Sequence, residues 1–157
     1  MNTQELIGEL KASQEFFERS SRCLSEEDSG FRPGEGLYTV AQHISHSART
    51  IDWFIEGASR PEGFDMDFER HIAEAKAVTS ITAAREWIAK SYQNAIRFLE
   101  STSETELERP LPPGPIMGGL PLRSVVGAIV DHSAHHRGAL TVYSRLVGKV
   151  PLMPYME

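Results

Sequence analysis

The sequence predicts an all-α fold, a four-helix bundle, and three observations carry the prediction. Apolar residues recur at steps of three and four over four separate stretches. Segments rich in glycine and proline separate most of these stretches. No segment of convincing length alternates at period two, and no internal repeat is present. Four helices with one apolar side each have few ways to bury it, and a bundle is the simplest. At 157 residues the chain can build one core without disulfides or structural staples, so a single domain over 1–157 is expected.

The first helix is expected from Thr3 to about Leu24, with Leu6, Leu10, Phe17 and Leu24 on its apolar side. The segment SEEDSGFRPGEGLYT, with three glycines and Pro33, then breaks the period. Thr39 is placed to cap a second helix from Val40 to about Glu56, striped by Val40, Ile44, Ala48, Ile51 and Ile55. Gly57 is expected to end it in a left-handed cap. The stretch 58–79 is longer than an antiparallel hairpin needs and holds a short helix within FDMDFERHIAEAKAV. Ser80 or Thr82 caps a third long helix through Leu99, striped by Ile81, Ala84, Ile88, Tyr92, Ala95 and Leu99. The prolines and glycines of LERPLPPGPIMGGLPLRS remove backbone donors and admit positive φ, so no helix passes through. A fourth helix carries Val125, Ile129, Tyr143, Leu146 and Val147 and stops near Gly148, leaving an extended tail.

A net charge of -6 argues against nucleic acid or an anionic membrane as partner, since both would repel the chain on average. No basic stripe or zinc-finger spacing offsets that repulsion. The lone Cys23 cannot form an internal disulfide and is read as a packing residue. MNTQELIGELKAS lacks the basic-then-apolar order of a signal peptide, and no run of about 18 apolar residues is long enough to span a bilayer. A cytoplasmic protein is expected.

The fourth helix contains DHSAHHRGAL. His132 and His136, four apart, stack on one face, and the stripe through Val125 and Ile129 runs directly onto them. His135 falls about a third of a turn away. Two neutral imidazoles in an apolar seam need partners, and a divalent cation satisfies both; buried hydroxyls or water are the bland alternative. A third ligand can come from YTVAQHISH, where His43 and His46 share a side of the second helix. Measured from the apolar stripe, the helical wheel alone favours His43 over His46.

Together these residues resemble the DinB-like (DinB/YfiT-type) family. Tyr38, Thr39, Val40 and His46 match its aromatic, hydroxyl and aliphatic helix start, with a histidine eight positions after the aromatic. His132, His136, Arg137 and Gly138 match its His-x-x-x-His-Arg-Gly-Gln, with Ala139 in place of the last Gln. The resemblance covers essentially the whole chain. It implies an up-down-down-up bundle, a nickel or zinc ion held by His46, His132 and His136, and a homodimer. On this pattern His46 takes precedence over the wheel, and His43 supports or substitutes for it.

Three histidines with an open coordination position are the arrangement of catalytic zinc-type sites, and three imidazoles suit zinc, nickel, copper or iron. Such a site can lower the pKa of a bound water for hydrolysis, or hold a thiol as thiolate. The resemblance points to a small-molecule transferase or isomerase using a low-molecular-weight thiol as cosubstrate. A hydrolase in the same pocket and a non-catalytic metal-binding module are the alternatives.

Other residues carry weaker expectations. Trp53 is a candidate for lining the pocket above the metal, and Arg137 for an anion contact or a surface ion pair. Asp52 and Asp131 are candidates for orienting ligating imidazoles. His71 reads as solvent-exposed, and Glu26, Glu27 and Asp28 as a solvated acidic loop.

Overall fold

The structure, a computed structural model, describes residues 2–156, and helices dominate it: α1 (Thr3–Ser21), α2 (Val40–Ser59), α3 (Phe68–Lys76), α4 (Ile81–Glu100), α5 (Glu104–Leu107) and α6 (Ser124–Leu146). A 3-10 turn, Glu26–Asp28, sits between α1 and α2. Four helices are long, and their apolar stripes meet in one cluster that includes Leu10, Phe17, Ile44, Ile51, Ile88, Tyr92, Leu99 and Ile129. Among the described residues no helix is long and apolar enough to cross a membrane.

Residue pairings give the helix directions. Arg85 bonds to the carbonyl of Ser21 while Tyr92 meets Ser13, so α1 and α4 run antiparallel. His43 meets His136 and His46 meets His132, so α2 and α6 are also antiparallel. Ser13 reaches α6 at Ser133 through Tyr92, and Phe16 lies under Arg137, so α1 and α6 are parallel. The long helices therefore run up, down, down, up. The connection from α2 to α4 must return the whole length of the bundle, and α3 occupies that crossover.

Helix ends follow the expected capping chemistry with one exception. Thr39 and Gln42 form a reciprocal capping box at the start of α2, at 3.2 and 3.0 Å. Ser80 caps α4, Thr82 at its first turn donates to Glu26 at 2.9 Å, and the N–H of Ile81 donates to Ser29 at 3.0 Å. Gly148, at φ 79°, ends α6 in a Schellman turn, with Gly148 N–H on the Arg145 carbonyl and Lys149 N–H on that of Ser144. Gly57 differs from expectation. It is buried inside α2, which continues to Ser59, and a Cβ there would lie 2.1 Å from a ring carbon of Phe64. The glycine admits an aromatic ring against the helix backbone and ends nothing.

The acidic segment is solvated at Glu26 and Glu27, as expected, but it also staples the fold, and Asp28 is buried. Glu26 accepts from the Thr82 N–H and hydroxyl, which holds its carboxyl below the ordinary value. Asp28 is buried and accepts from the ammonium of Lys149 at 2.5 Å and from Ser25 N–H at 2.7 Å. Burial alone would raise Asp28, but these bonds outweigh it and lower its pKa. The segment thereby joins the starts of α2 and α4 to the end of α6.

Candidate metal centre

The capping box fixes where α2 begins, which puts His43 and His46 in its first two turns. Tyr143 on α6 donates to the carbonyl of Tyr38 at 3.1 Å and holds that end of α2 against α6. The antiparallel crossing then brings His46, His132 and His136 together, with one ring nitrogen from each lying within 4.8 Å of the others. His132 Nε2 and His136 Nε2 are 3.2 Å apart. Two ligands of a tetrahedral ion with bonds of 2.0–2.1 Å stand about 3.3 Å apart, so this spacing fits a shared cation.

The donor set fits as well. Burial, followed by the influence of neighbouring imidazoles, lowers His132 to about 4 and His136 to about 2. Burial also lowers His46, and His135 adds to the effect. All three imidazoles are neutral at pH 7 and present lone pairs, the protonation state a cation requires. His132 Nδ1 is buried without a hydrogen-bond partner, unlike the Nδ1 of His136, and the Nε2 of its ring is the nitrogen turned toward His136.

His43 settles differently from either alternative considered alone. The wheel places it on the apolar side, and it is buried at 8 % exposure, but it stands behind His136 rather than beside His46. Its Nδ1 lies 2.9 Å from His136 Nδ1. When His136 Nε2 is committed to a cation, its proton sits on Nδ1, which then donates to His43 Nδ1 and sets the ring's orientation. His43 is lowered to about 4 by burial and by His46 and His135, so it stays neutral and can accept.

A cavity of about 290 Å³ opens at His46 and His132, walled by Thr50, Trp53, Phe54, Phe68 and Ile72 with Arg49 and His71. Trp53 lines it as expected, and its indole N–H donates outward to the carbonyl of Asp65 at 2.7 Å. Phe64 packs against Trp53 with ring centroids 4.9 Å apart and planes tilted by 45°.

His71 is buried, contrary to its reading as surface, because α3 lies along α2 and its polar bonds face inward. Ser45 donates to the Ala75 carbonyl at 2.8 Å, and Arg49 binds Glu74 at 2.8 Å and His71 Nδ1 at 2.9 Å. Arg49, itself buried, also pairs with Glu56 at 3.2 Å. Sequence reasoning missed this arginine; its position three residues after His46 was the available signal.

Three other candidates lie elsewhere. Asp52 accepts from the Trp87 indole at 2.7 Å, and Asp131 is exposed. Arg137 donates to the Tyr155 hydroxyl at 3.0 Å and lies over the rings of Phe16 and Tyr155, on the α1 side of the bundle.

The chain matches the family model of the DinB superfamily over residues 9–140. No curated protein matches it. Solved structures do. A DinB-like protein from Bacillus cereus ATCC 10987 superposes with a TM-score of 0.69 at 19 % identity, covering 92 % of this chain and 90 % of that one. The DinB-like protein YjoA of Bacillus subtilis gives 0.71 at 14 % identity, covering 98 % and 99 %. YfiT of Bacillus subtilis, described as a probable metal-dependent hydrolase with an unusual four-helix bundle topology, gives 0.69 at 15 % identity, covering 94 % and 88 %. At these identities the superpositions speak for the fold, and the family match rests on the sequence. With most of its length inside the family model and its helices in the same arrangement, the chain belongs to the DinB superfamily.

Proposed function

We propose that the chain is a metal-dependent enzyme in which His46, His132 and His136 hold one divalent cation, nickel or zinc, and which acts on a small molecule. The observation that carries this reading is the convergence of three neutral imidazoles, two of which, His46 and His132, line a largely apolar cavity. A cation there supplies a Lewis acid with an open position, where a water or thiol loses its proton more readily. His136 is oriented by His43, and Trp53, Phe54 and Phe68 give the space beside His46 and His132 an apolar wall.

Transfer of a low-molecular-weight thiol is the leading reading within that class. Hydrolysis is helped by a base beside the attacking water, whereas the two carboxylates nearest Arg49, Glu56 and Glu74, are bound to that arginine. A thiol brings its own nucleophile. Hydrolysis in the same site is the second reading, favoured by the description of YfiT.

Elemental mass spectrometry of the purified full chain tests the metal. Near-stoichiometric nickel or zinc in wild type, lost in His46→Ala and His132→Ala, is expected. The loaded protein is then assayed for conjugation of a small thiol to electrophiles and for thiol-free ester hydrolysis. Wild type that cannot be loaded with either metal would overturn the reading, and metal-dependent hydrolysis without thiol transfer would replace the first with the second.

A further inference from the structure

The wall of the cavity, rather than its metal end, indicates what kind of molecule it accepts. The space of about 290 Å³ is nearly twice the roughly 150 Å³ of an apolar cavity known to hold benzene. That is room for two fused rings. Trp53, Phe54, Phe68 and Ile72 supply flat or branched carbon surfaces, and the wall presents almost only carbon to the space.

Apart from the histidines of the metal end and the Thr50 hydroxyl, the polar groups of the wall are committed elsewhere. The indole N–H of Trp53 points to Asp65, and His71 Nδ1 accepts from Arg49. His71 Nε2 is sealed from solvent, 3.7 Å from an Asp65 oxygen. Arg49 has the charge to read a carboxylate or phosphate, yet its Nε is bonded to Glu74 and its terminal nitrogens to Glu56 and His71. Glu56 and Glu74 neutralise Arg49, and Arg70, which shares Glu74, is held by Asp65 and Asp67, so the wall offers no free guanidinium and an acid entering the carbon-lined space would lose hydration without a paired cation in return.

We infer that the cavity binds an uncharged, aromatic substrate body about the size of a fused bicycle, with its reacting group turned toward His46 and His132, and that Arg49 is a strut between α2 and α3 rather than an anion receptor. This rests on the proposed metal site only for which end of the substrate reacts. The preference for a neutral body belongs to the wall and persists without metal.

The two tryptophans make the test direct. Trp53 lines the cavity, while Trp87 bonds to Asp52 outside it. The indole N–H signals of the ¹⁵N-labelled full chain are followed, as purified and after chelator treatment, during titration with 1-naphthalenemethanol and with 1-naphthoate. The neutral probe is expected to shift the Trp53 signal saturably, leave Trp87 in place, and bind chelator-treated protein roughly tenfold or more tightly than the acid. Ile72→Asp, at a half-exposed position on α3 that leaves the core intact, should weaken the neutral probe. Equal or tighter binding of naphthoate to chelator-treated protein, or no saturable Trp53 shift with either probe, overturns the inference. Wild type that cannot be loaded with metal but keeps the Trp53 shift would refute the metal reading alone; stoichiometric metal without the shift would refute this inference alone.

Discussion

Replacing His43 with leucine should weaken metal binding without abolishing it. Leucine keeps an apolar side chain at a position that is 8 % exposed, but removes the acceptor 2.9 Å from His136 Nδ1. His136, itself 6 % exposed, then holds a buried N–H without a partner whenever its Nε2 is committed to a cation. An unsatisfied buried donor costs about 1–3 kcal/mol, and loss of a residue orienting a metal-bound histidine typically costs about 10–100-fold in affinity, or about 1.4–2.7 kcal/mol. The two routes agree, so a rise in Kd of about 10–100-fold is expected. His43→Gln, which restores an acceptor, should recover part of it, whereas His46→Leu removes a ligand and should reduce binding far more. Competition against a chelator of known affinity, with zinc and with nickel, measures all three variants on one scale. If His43→Leu lost metal completely while His46→Leu bound within a few-fold of wild type, the roles assigned to the two histidines would be reversed and the reasoning refuted.

The metal-free protein should lose stability on mild acidification. His43, His132 and His136 are lowered to about 4, 4 and 2 from 6.5, so between about pH 6.5 and 4 the unfolded chain takes up protons that the folded chain refuses. Stability is then fully present above about 6.5 and falls by about 1.4 kcal/mol per pH unit for each of the three; urea midpoints that stay flat across this window would contradict the buried neutral histidines. Gly57→Ala should destabilise although helix propensity alone favours alanine by about 1 kcal/mol, because the new Cβ meets the Phe64 ring at 2.1 Å. In a Phe64→Ala background the same change should stabilise, and a double-mutant cycle showing no coupling would refute the close packing. Tyr92→Phe removes the hydroxyl shared by Ser13 and Ser133, 2.9 Å from each, and should cost about 1 kcal/mol in urea unfolding; an unchanged midpoint would show that the bonds contribute nothing net.

Much of the bundle was legible because helix formation and capping are local. The stripe Val40, Ile44, Ala48, Ile51 defines the buried side of α2 through spacing alone, and Thr39 and Gly148 act at helix ends through their own chemistry. The pair His132 and His136 was legible for the same reason, since residues four apart share a face of any helix. The matching motifs also singled out His46, although the wheel preferred His43.

What the sequence by itself determined were the four amphipathic helices, their caps and the histidines able to approach one another. Only the tertiary structure decided which nitrogens meet. His43 stands behind His136 because α2 crosses α6 at that depth, and no residue period encodes a crossing. His71 is buried because α3 folds onto α2 through Arg49, and Gly57 serves Phe64, a residue in the crossover beyond its own helix. The neutral cavity arises in the same way: Arg49, passed over in the sequence, is neutralised because Glu56 and Glu74 close on it from two helices. Charge balance and packing depend on distances in space, and those are set by how the helices cross.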